Sequence, residues 1–365
     1  MVCTRDVLAS DYTGALTYDA RVYRHLAGQG CAMAQVTEPV GPRGRRLLSS
    51  LSFARRIAQA CAGPSVLLAY YCQRYELGPA LWVCRRRRDV RTVLMVHGLV
   101  DYEPDIRWRR QADARYRRRF VGLADEVVVV SEAMRREVAA WHGGRGPRIH
   151  VVRPTINPRL ADMLPEHGRQ AGGRWQGPFT FLNVGRLEPY KGVGVLVEAF
   201  LRARCPDAKL VLLGSHDDDR YRREIEARIG SRPGTRDIEL TPRVDDPEAL
   251  ASYYRRADCL VLPSLSEGYP MVVLEALAFG LPVIASDIDG VREQISHGRS
   301  GMLFPAGDVA SLSRCLRRIR SDDALRARLA RGAGARSSEL QRTWEDVGRE
   351  FAAVIGEAWD AVHSP

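Results

Sequence analysis

Two stretches in the second half of this 365-residue chain carry charged residues at spacings that suit an anionic, hydroxyl-rich ligand. In PSLSEGYPMVVLEALAFGLPVIAS (263–286), Glu267 sits in a turn and Glu275 follows about two helical turns later. Carboxylates so placed can accept hydrogen bonds from two separated pairs of vicinal hydroxyls, one on a sugar and one on a ribose. Gly268 and Tyr269 complete the turn, and Pro270 opens a helix. The first amides of that helix, at Met271 and Val272, lack intrahelical partners and carry the positive dipole end. A plainer reading makes Glu267 a helix-start charge and Glu275 a solvated residue. The flanking MVVL and ALAF oppose its second part, because a helix apolar on most sides is buried. In NVGRLEPYKG (183–192), Arg186 and Lys191 project from a loop leaving a strand, where a diphosphate needs cations. Gly185 and Gly192 permit close backbone approach there; a solvated basic loop is the alternative.

The first half offers less. His97 ends a strand in HGLVDYEPD (97–105), where it could bond a ligand hydroxyl or pass a proton, or simply be structural. Asp101, Glu103 and Asp105 crowd the same loop and suit a cationic acceptor or plain solvation. Gly14, in TGAL (13–16), would let backbone approach a diphosphate. Asp217-Asp218-Asp219 and Asp287-x-Asp289 hold the Asp-x-Asp pattern of divalent-cation sites, but acidic loops produce it by chance and no metal is expected.

These residues need strands to end beneath them. Short Val/Leu/Ile runs alternate with helix-like segments, the pattern of parallel sheets covered by helices. Strands are predicted at 66–71, 92–97, 126–131 and 150–152, with a weak opening strand near Val7 to Ser10. The pattern restarts at 180–185, 209–214, 237–240, 259–264, 282–286 and 301–304. A Gly- and Pro-rich stretch at 157–178 reads as a linker, and roughly Glu339 to Val362 as one long helix. The fold class is therefore α/β, two doubly wound Rossmann-like domains facing a central cleft where ligands sit. The expected division is 1–160 for acceptor binding, a linker at 161–178, a nucleotide-sugar domain at 179–338, and a helix at 339–365 crossing back.

Length, a 45% hydrophobic content and 27% charge fit a two-domain globular protein and exclude disordered and fibrous classes. No stretch approaches the ~20 apolar residues of a membrane span, and the eight cysteines form no C-x-x-C pair. A cytoplasmic protein is expected, with peripheral residence on the inner face of the membrane as an option. The net charge of +11 lies wholly in residues 1–150, which hold 25 Arg against 14 acidic residues. Arg85 to Arg88 and the stretch Arg107 to Arg119 are read as a solvated face, a face toward an anionic membrane or acceptor, or a nucleic-acid surface.

With those residues in hand, the second half resembles the glycosyltransferase group 1 family, also called family 4. The likeness runs in order through NVGRLEPYKGVGVLVEAF, KLVLLG, LASYYRRADCLVLPSLSEGYPMVVLEALAFGLPVIAS and GVREQISHGRSGMLFPAGDVASL. It is looser in the first half, through TGAL, VHG, LADEVVVVSEAM and VVRPTINP. The resemblance implies a GT-B fold, retention of anomeric configuration, no metal and no cofactor. It implies that Arg186 and Lys191 bind the diphosphate, Glu275 the ribose hydroxyls, and Glu267 the donor sugar with the amides near Met271 and Val272. It further places His97 on the sugar's 6-hydroxyl, Gly14 against the phosphates, and Arg243 and Val244 around the base. Pro242 and GSHDDD (214–219) depart from the family pattern and leave the base open.

The implied activity is transfer of a hexose-type sugar from a nucleotide diphosphate sugar, UDP favoured and GDP next, to an acceptor hydroxyl. Envelope glycan or glycolipid assembly and natural-product glycosylation are its two settings. The acceptor is bracketed as a lipid-linked or anionic glycan, or a cationic amino-sugar or aminocyclitol; nucleic acid is not an expected partner. Rival readings are a GT-B epimerase or phosphorylase, and a basic nucleotide-sugar- or nucleic-acid-binding protein without activity.

Overall fold

The computed structural model describes residues 2–3, 14–32, 34–35, 46–70, 77–98, 115, 118–143, 145–165, 177–215, 219–230 and 237–363. The chain divides into two compact units. The first takes Met1–Pro154 and Arg342–Pro365, the second Thr155–Gln341.

In the first unit the order is β1 (Val2–Cys3), α1 (Gly14–Gly28), β2 (Ala34–Gln35), α2 (Arg46–Ala60), β3 (Ser65–Tyr70), α3 (Leu77–Arg85), β4 (Val90–Val96), β5 (Glu126–Val129), α4 (Glu132–His142) and β6 (Arg148–Val151). The strands pair in parallel in the order β2-β1-β3-β4-β5-β6. β3 is buried along its whole length and β5 likewise, as strands covered on both faces must be. The two-residue strands β1 and β2 were not predicted, since two residues give no periodicity to read. The expected strand near Val7 to Ser10 lies outside the described residues.

The second unit begins earlier than the expected linker. α5 (Pro158–Ala161) is capped by the Asn157 side chain, which accepts from the Arg159 amide, and Leu160 is fully buried in this unit's core. Then follow β7 (Phe179–Val184), a 3₁₀ turn (Pro189–Lys191), α6 (Val193–Ala203), β8 (Ala208–Leu213), α7 (Asp219–Gly230), β9 (Ile238–Thr241), α8 (Pro247–Arg256), β10 (Cys259–Leu262), α9 (Met271–Ala278), β11 (Val283–Ser286), α10 (Asp289–Arg292), β12 (Gly301–Phe304), α11 (Val309–Ser321) and α12 (Asp323–Leu340). The sheet is again parallel, in the order β12-β11-β10-β7-β8-β9. Successive strand residues feed two separate cores. Phe181, Leu210 and Val261 point into one, and Leu182, Val211 and Leu260 into the other.

This strand order fixes where a ligand can sit. From β7 the chain moves through β8 to β9, then returns to β10 on β7's other side. The loops leaving β7 and β10 thus diverge around a gap, and that topological switch point is the place where open α/β sheets bind ligands.

The long terminal helix expected from roughly Glu339 to Val362 is present but starts later, after the end of another helix. α12 ends at Leu340, and α13 (Trp344–His363) starts after a break. The cause is a reciprocal cap: the Thr343 hydroxyl accepts from the Asp346 amide at 3.1 Å, and Asp346 accepts from the Thr343 amide at 2.8 Å. α13 belongs to the first unit. Its buried Val347, Phe351, Val354, Ile355 and Ala358 form one helical face, and the Tyr18 ring of α1 lies edge-on to Trp344 and Phe351.

Candidate functional site

The loop after β7 lies directly on the loop after β10. Gly192, with φ at +69°, closes the 3₁₀ turn, and a Cβ there would stand 2.1 Å from the Pro263 carbonyl oxygen. Only glycine accepts both that backbone and that contact. The Leu265 amide then donates to the Tyr190 carbonyl at 2.7 Å, fastening the two loops. As a result Lys191 and Glu267, 76 residues apart, meet at 2.7 Å. The same Glu267 Oε1 accepts from the buried Ser264 hydroxyl at 2.7 Å.

The other cation is held in a similar way. Arg186 pairs with Glu188 at 2.7 Å, and its guanidinium donates to the Tyr190 hydroxyl at 3.0 Å. Each cation of the β7 loop is therefore neutralised by a carboxylate within the site, and an arriving polyanion has to displace that partner.

The turn bearing Glu267 is braced from behind. A Cβ on Gly290 would lie 2.3 Å from the Glu267 carbonyl oxygen and 2.6 Å from that of Gly268, so α10 packs backbone to backbone beneath it. Gln294, fully buried, donates to the Pro270 carbonyl at 3.2 Å. Gly268 and Tyr269 are buried. Pro270 occupies the N-cap position of α9, one residue before the predicted first turn, and supplies no side-chain cap. The amides of Met271 and Val272 thus open the helix as predicted, beside Glu267.

Glu275, four residues into α9, is buried, which removes the solvated reading. Burial pushes its carboxyl above the ordinary range, against hydrogen bonds from Tyr254 and the Asn157 backbone that favour the charged form. The Tyr254 hydroxyl donates to Glu275 Oε2 at 2.5 Å, and its ring stacks on Phe279 at 5.2 Å. Arg243 is tied to Asp245 at 2.7 Å, and Val244 packs partly buried against the core of the second unit. Of the acidic pairs, Asp287 and Asp289 both bind Arg292, at 2.6 and 2.8 Å. Asp217 and Asp218 lie outside the described residues. So do Asp101, Glu103 and Asp105.

In the first unit, Gly14 is the first residue of α1, and His97 follows β4. His97 Nε2 lies 2.5 Å from the Asp19 carboxylate, which is completely buried, and the Tyr18 ring meets the imidazole edge-on at 5.3 Å. A carboxylate accepts, so Nε2 donates to Asp19. Sequence reasoning did not find Asp19, Glu188, Tyr254 or Ser264. Each acts by reaching a partner placed by the fold. Glu188 and Ser264 stood within the two stretches already singled out, but nothing in their spacing named their partners.

A family model described as glycosyl transferases group 1 matches residues 166–336, and one described as glycosyltransferase family 4 matches residues 6–160. A D-inositol 3-phosphate glycosyltransferase of Jonesia denitrificans is 34% identical over 221 residues, covering 57% of this chain and 51% of that protein. One from Streptosporangium roseum is 28% identical over 317 residues, covering 82% and 70%. The chain spans about half the length of the curated relatives it matches first. Among solved structures, sucrose-phosphate synthase of Thermosynechococcus elongatus superposes with a TM-score of 0.78 at 22% identity, over 99% of this chain and 98% of that one. Anabaena Alr3699/HepE in complex with UDP and glucose gives 0.71 at 19%, over 97% and 99%. These likenesses establish the GT-B fold with its two Rossmann-like domains.

Proposed function

The chain belongs to the group 1 glycosyltransferases, and from that membership we propose that it moves a hexose-type sugar from a nucleotide diphosphate donor to an acceptor hydroxyl, with retention and without a metal. The observation that carries this reading is the contact of Lys191 with Glu267, whose Oε1 also accepts from Ser264, at the switch point between β7 and β10. A cation fit for a diphosphate and a carboxylate fit for sugar hydroxyls are held within one hydrogen bond of each other, and the Met271 and Val272 amides open the helix that follows Glu267.

In this reading the diphosphate takes over Lys191 and Arg186. Glu267, released from the lysine, turns its acceptor capacity to the sugar hydroxyls. Glu275 receives the ribose diol, while Arg243 and Val244 border the base. His97 bonds the sugar's 6-hydroxyl and Gly14 lies against the phosphates. As the glycosidic bond to phosphate breaks, negative charge grows on the leaving oxygen. Arg186 and Lys191 stabilise it, and that oxygen takes the proton of the incoming acceptor hydroxyl on the same face of the sugar.

The donor base is uridine in this proposal, supported by the UDP bound to the Anabaena neighbour. A hydroxyl-bearing acceptor with an anionic group is supported by the relatives' name, D-inositol 3-phosphate glycosyltransferase. The test is a donor screen. UDP-, GDP- and ADP-sugars are incubated with the protein, alone and with phosphorylated cyclitols and sugars. Release of UDP with transfer of the sugar in the same anomeric configuration is expected. An isomerised sugar nucleotide without acceptor, or cleavage only with inorganic phosphate, would replace the proposal by an epimerase or phosphorylase.

A further inference from the structure

The four-arginine run after α3 is not one uniform feature. Arg87 turns inward: its guanidinium pairs with Asp89 and donates to the carbonyls of Ala58 and Cys61 at the end of α2. That bond joins the last turn of α2 to the end of α3. Arg85, Arg86 and Arg88 remain exposed, and so do Arg55 and Arg56 on α2. The described parts of α2 and α3 carry no acidic residue, and Asp89, which follows the arginine run, is taken by Arg87. Trp82 stands among these arginines with 47% of its surface exposed, and the Arg86 guanidinium lies 3.4 Å over its ring. Arg85 donates to the Gly122 carbonyl, which brings exposed Arg118 and Arg119 alongside.

The location of this patch is as telling as its charge. The Ser65 amide at the start of β3 bonds the Asp89 carbonyl, so the patch sits where β3 and β4 begin. His97 follows the opposite end of β4. Seven residues of strand separate the two, about 20 Å at ~3.3 Å per residue. A cluster there cannot hold an anionic acceptor for chemistry at the carboxyl ends of the strands.

We infer that the α2–α3 end of the first unit is a docking surface for an anionic lipid bilayer, with Trp82 at the headgroup level and the arginines on lipid phosphates. An indole with one exposed face and a guanidinium stacked on it is suited to the membrane interface, where an apolar ring and a charged head are both satisfied. The excess positive charge of these exposed arginines supplies the attraction. No helix among the described residues is long and apolar enough to cross a membrane, so the contact is peripheral.

Co-sedimentation of the full chain with phosphatidylcholine vesicles, with and without phosphatidylglycerol, tests this. Binding only to the anionic vesicles, weakening with salt, is expected. At ~1 kcal/mol for each arginine near the surface, combining Arg55→Ala, Arg86→Ala and Arg88→Ala should weaken it about 100-fold. Trp82→Ala should weaken binding to vesicles but not to a DNA duplex. Unchanged melting temperature and unchanged donor hydrolysis in these variants separate this result from loss of folding or of the proposed transferase activity. Equal binding by the triple variant, no binding by the wild type, or duplex DNA bound as tightly and with the same loss on Trp82→Ala, would overturn the inference.

Discussion

The two units share a doubly wound parallel architecture but treat charge in opposite ways. At the carboxyl ends of β7 and β10 in the second unit, every site charge has an internal partner: Lys191 with Glu267, Arg186 with Glu188, and Glu275 with Tyr254. At the start of β3 and β4 in the first unit, arginines face solvent around an exposed tryptophan. Prepaired charges in a partly buried site favour exchange of partners with one specific ligand. Exposed charges on a solvent-facing surface favour a broad, salt-sensitive attraction. In the readings proposed above, one fold offers two kinds of anion recognition, and they fail in different ways.

The sharpest test of the contrast is Glu267→Gln. Removing the carboxylate frees Lys191, so UDP binding should hold or tighten. Turnover of the sugar donor should drop by about 2.7–4 kcal/mol of transition-state stabilisation. Calorimetry with UDP beside steady-state kinetics would show the split; parallel losses in both would break the exchange model. Next comes Gly192→Ala, which forces a side chain into a left-handed backbone at a cost of about 1–3 kcal/mol, on top of the contact with Pro263. Its melting temperature should fall and its donor KM rise together.

A smaller effect is expected at Glu275, with a distinctive pH signature. Burial raises its pKa, so the free site favours the neutral acid compared with an exposed glutamate. For stability, the sign of this shift gives a contribution that is present below the ordinary carboxylate range and lost as pH rises through the raised value. Ribose hydroxyls donate to the charged form, so donor affinity should run the other way and fall as pH drops through that raised value. Tyr254→Phe removes a hydrogen bond to the carboxylate, worth about 1–3 kcal/mol when buried, and should move the loss of affinity to higher pH. Glu275→Gln should flatten the profile, as donor binding measured across pH would reveal. The least effect belongs to the first unit. His97→Ala forfeits one hydrogen bond to a substrate hydroxyl, about 1 kcal/mol, or roughly fivefold in kcat/KM.

The second unit was largely legible in the sequence because its site residues are neighbours of turns. Gly192, Glu267 and Pro270 each announce a strand end or helix start by residue type alone. Their partners were not legible. Tyr254 lies 21 residues before Glu275 and Asp19 lies 78 before His97, and only the packing of helices against sheet brings them together. The first unit was read less well for a related reason: strands of two residues such as β1 carry no pattern. The run Arg85 to Arg88 read as a uniform charge cluster, because nothing in four identical letters says that Arg87 alone turns inward to bind the end of α2. The break between α12 and α13 was written in the sequence as Thr343-x-x-Asp346, a capping box hidden inside an otherwise continuous helical pattern.

The central claim is that Lys191 passes from Glu267 to the donor's diphosphate. Turnover of Lys191→Ala at saturating UDP-sugar tests it most directly. The account predicts a kcat lower by roughly 100- to 1000-fold, with donor affinity falling much less. A variant that turns over at the wild-type rate would contradict it.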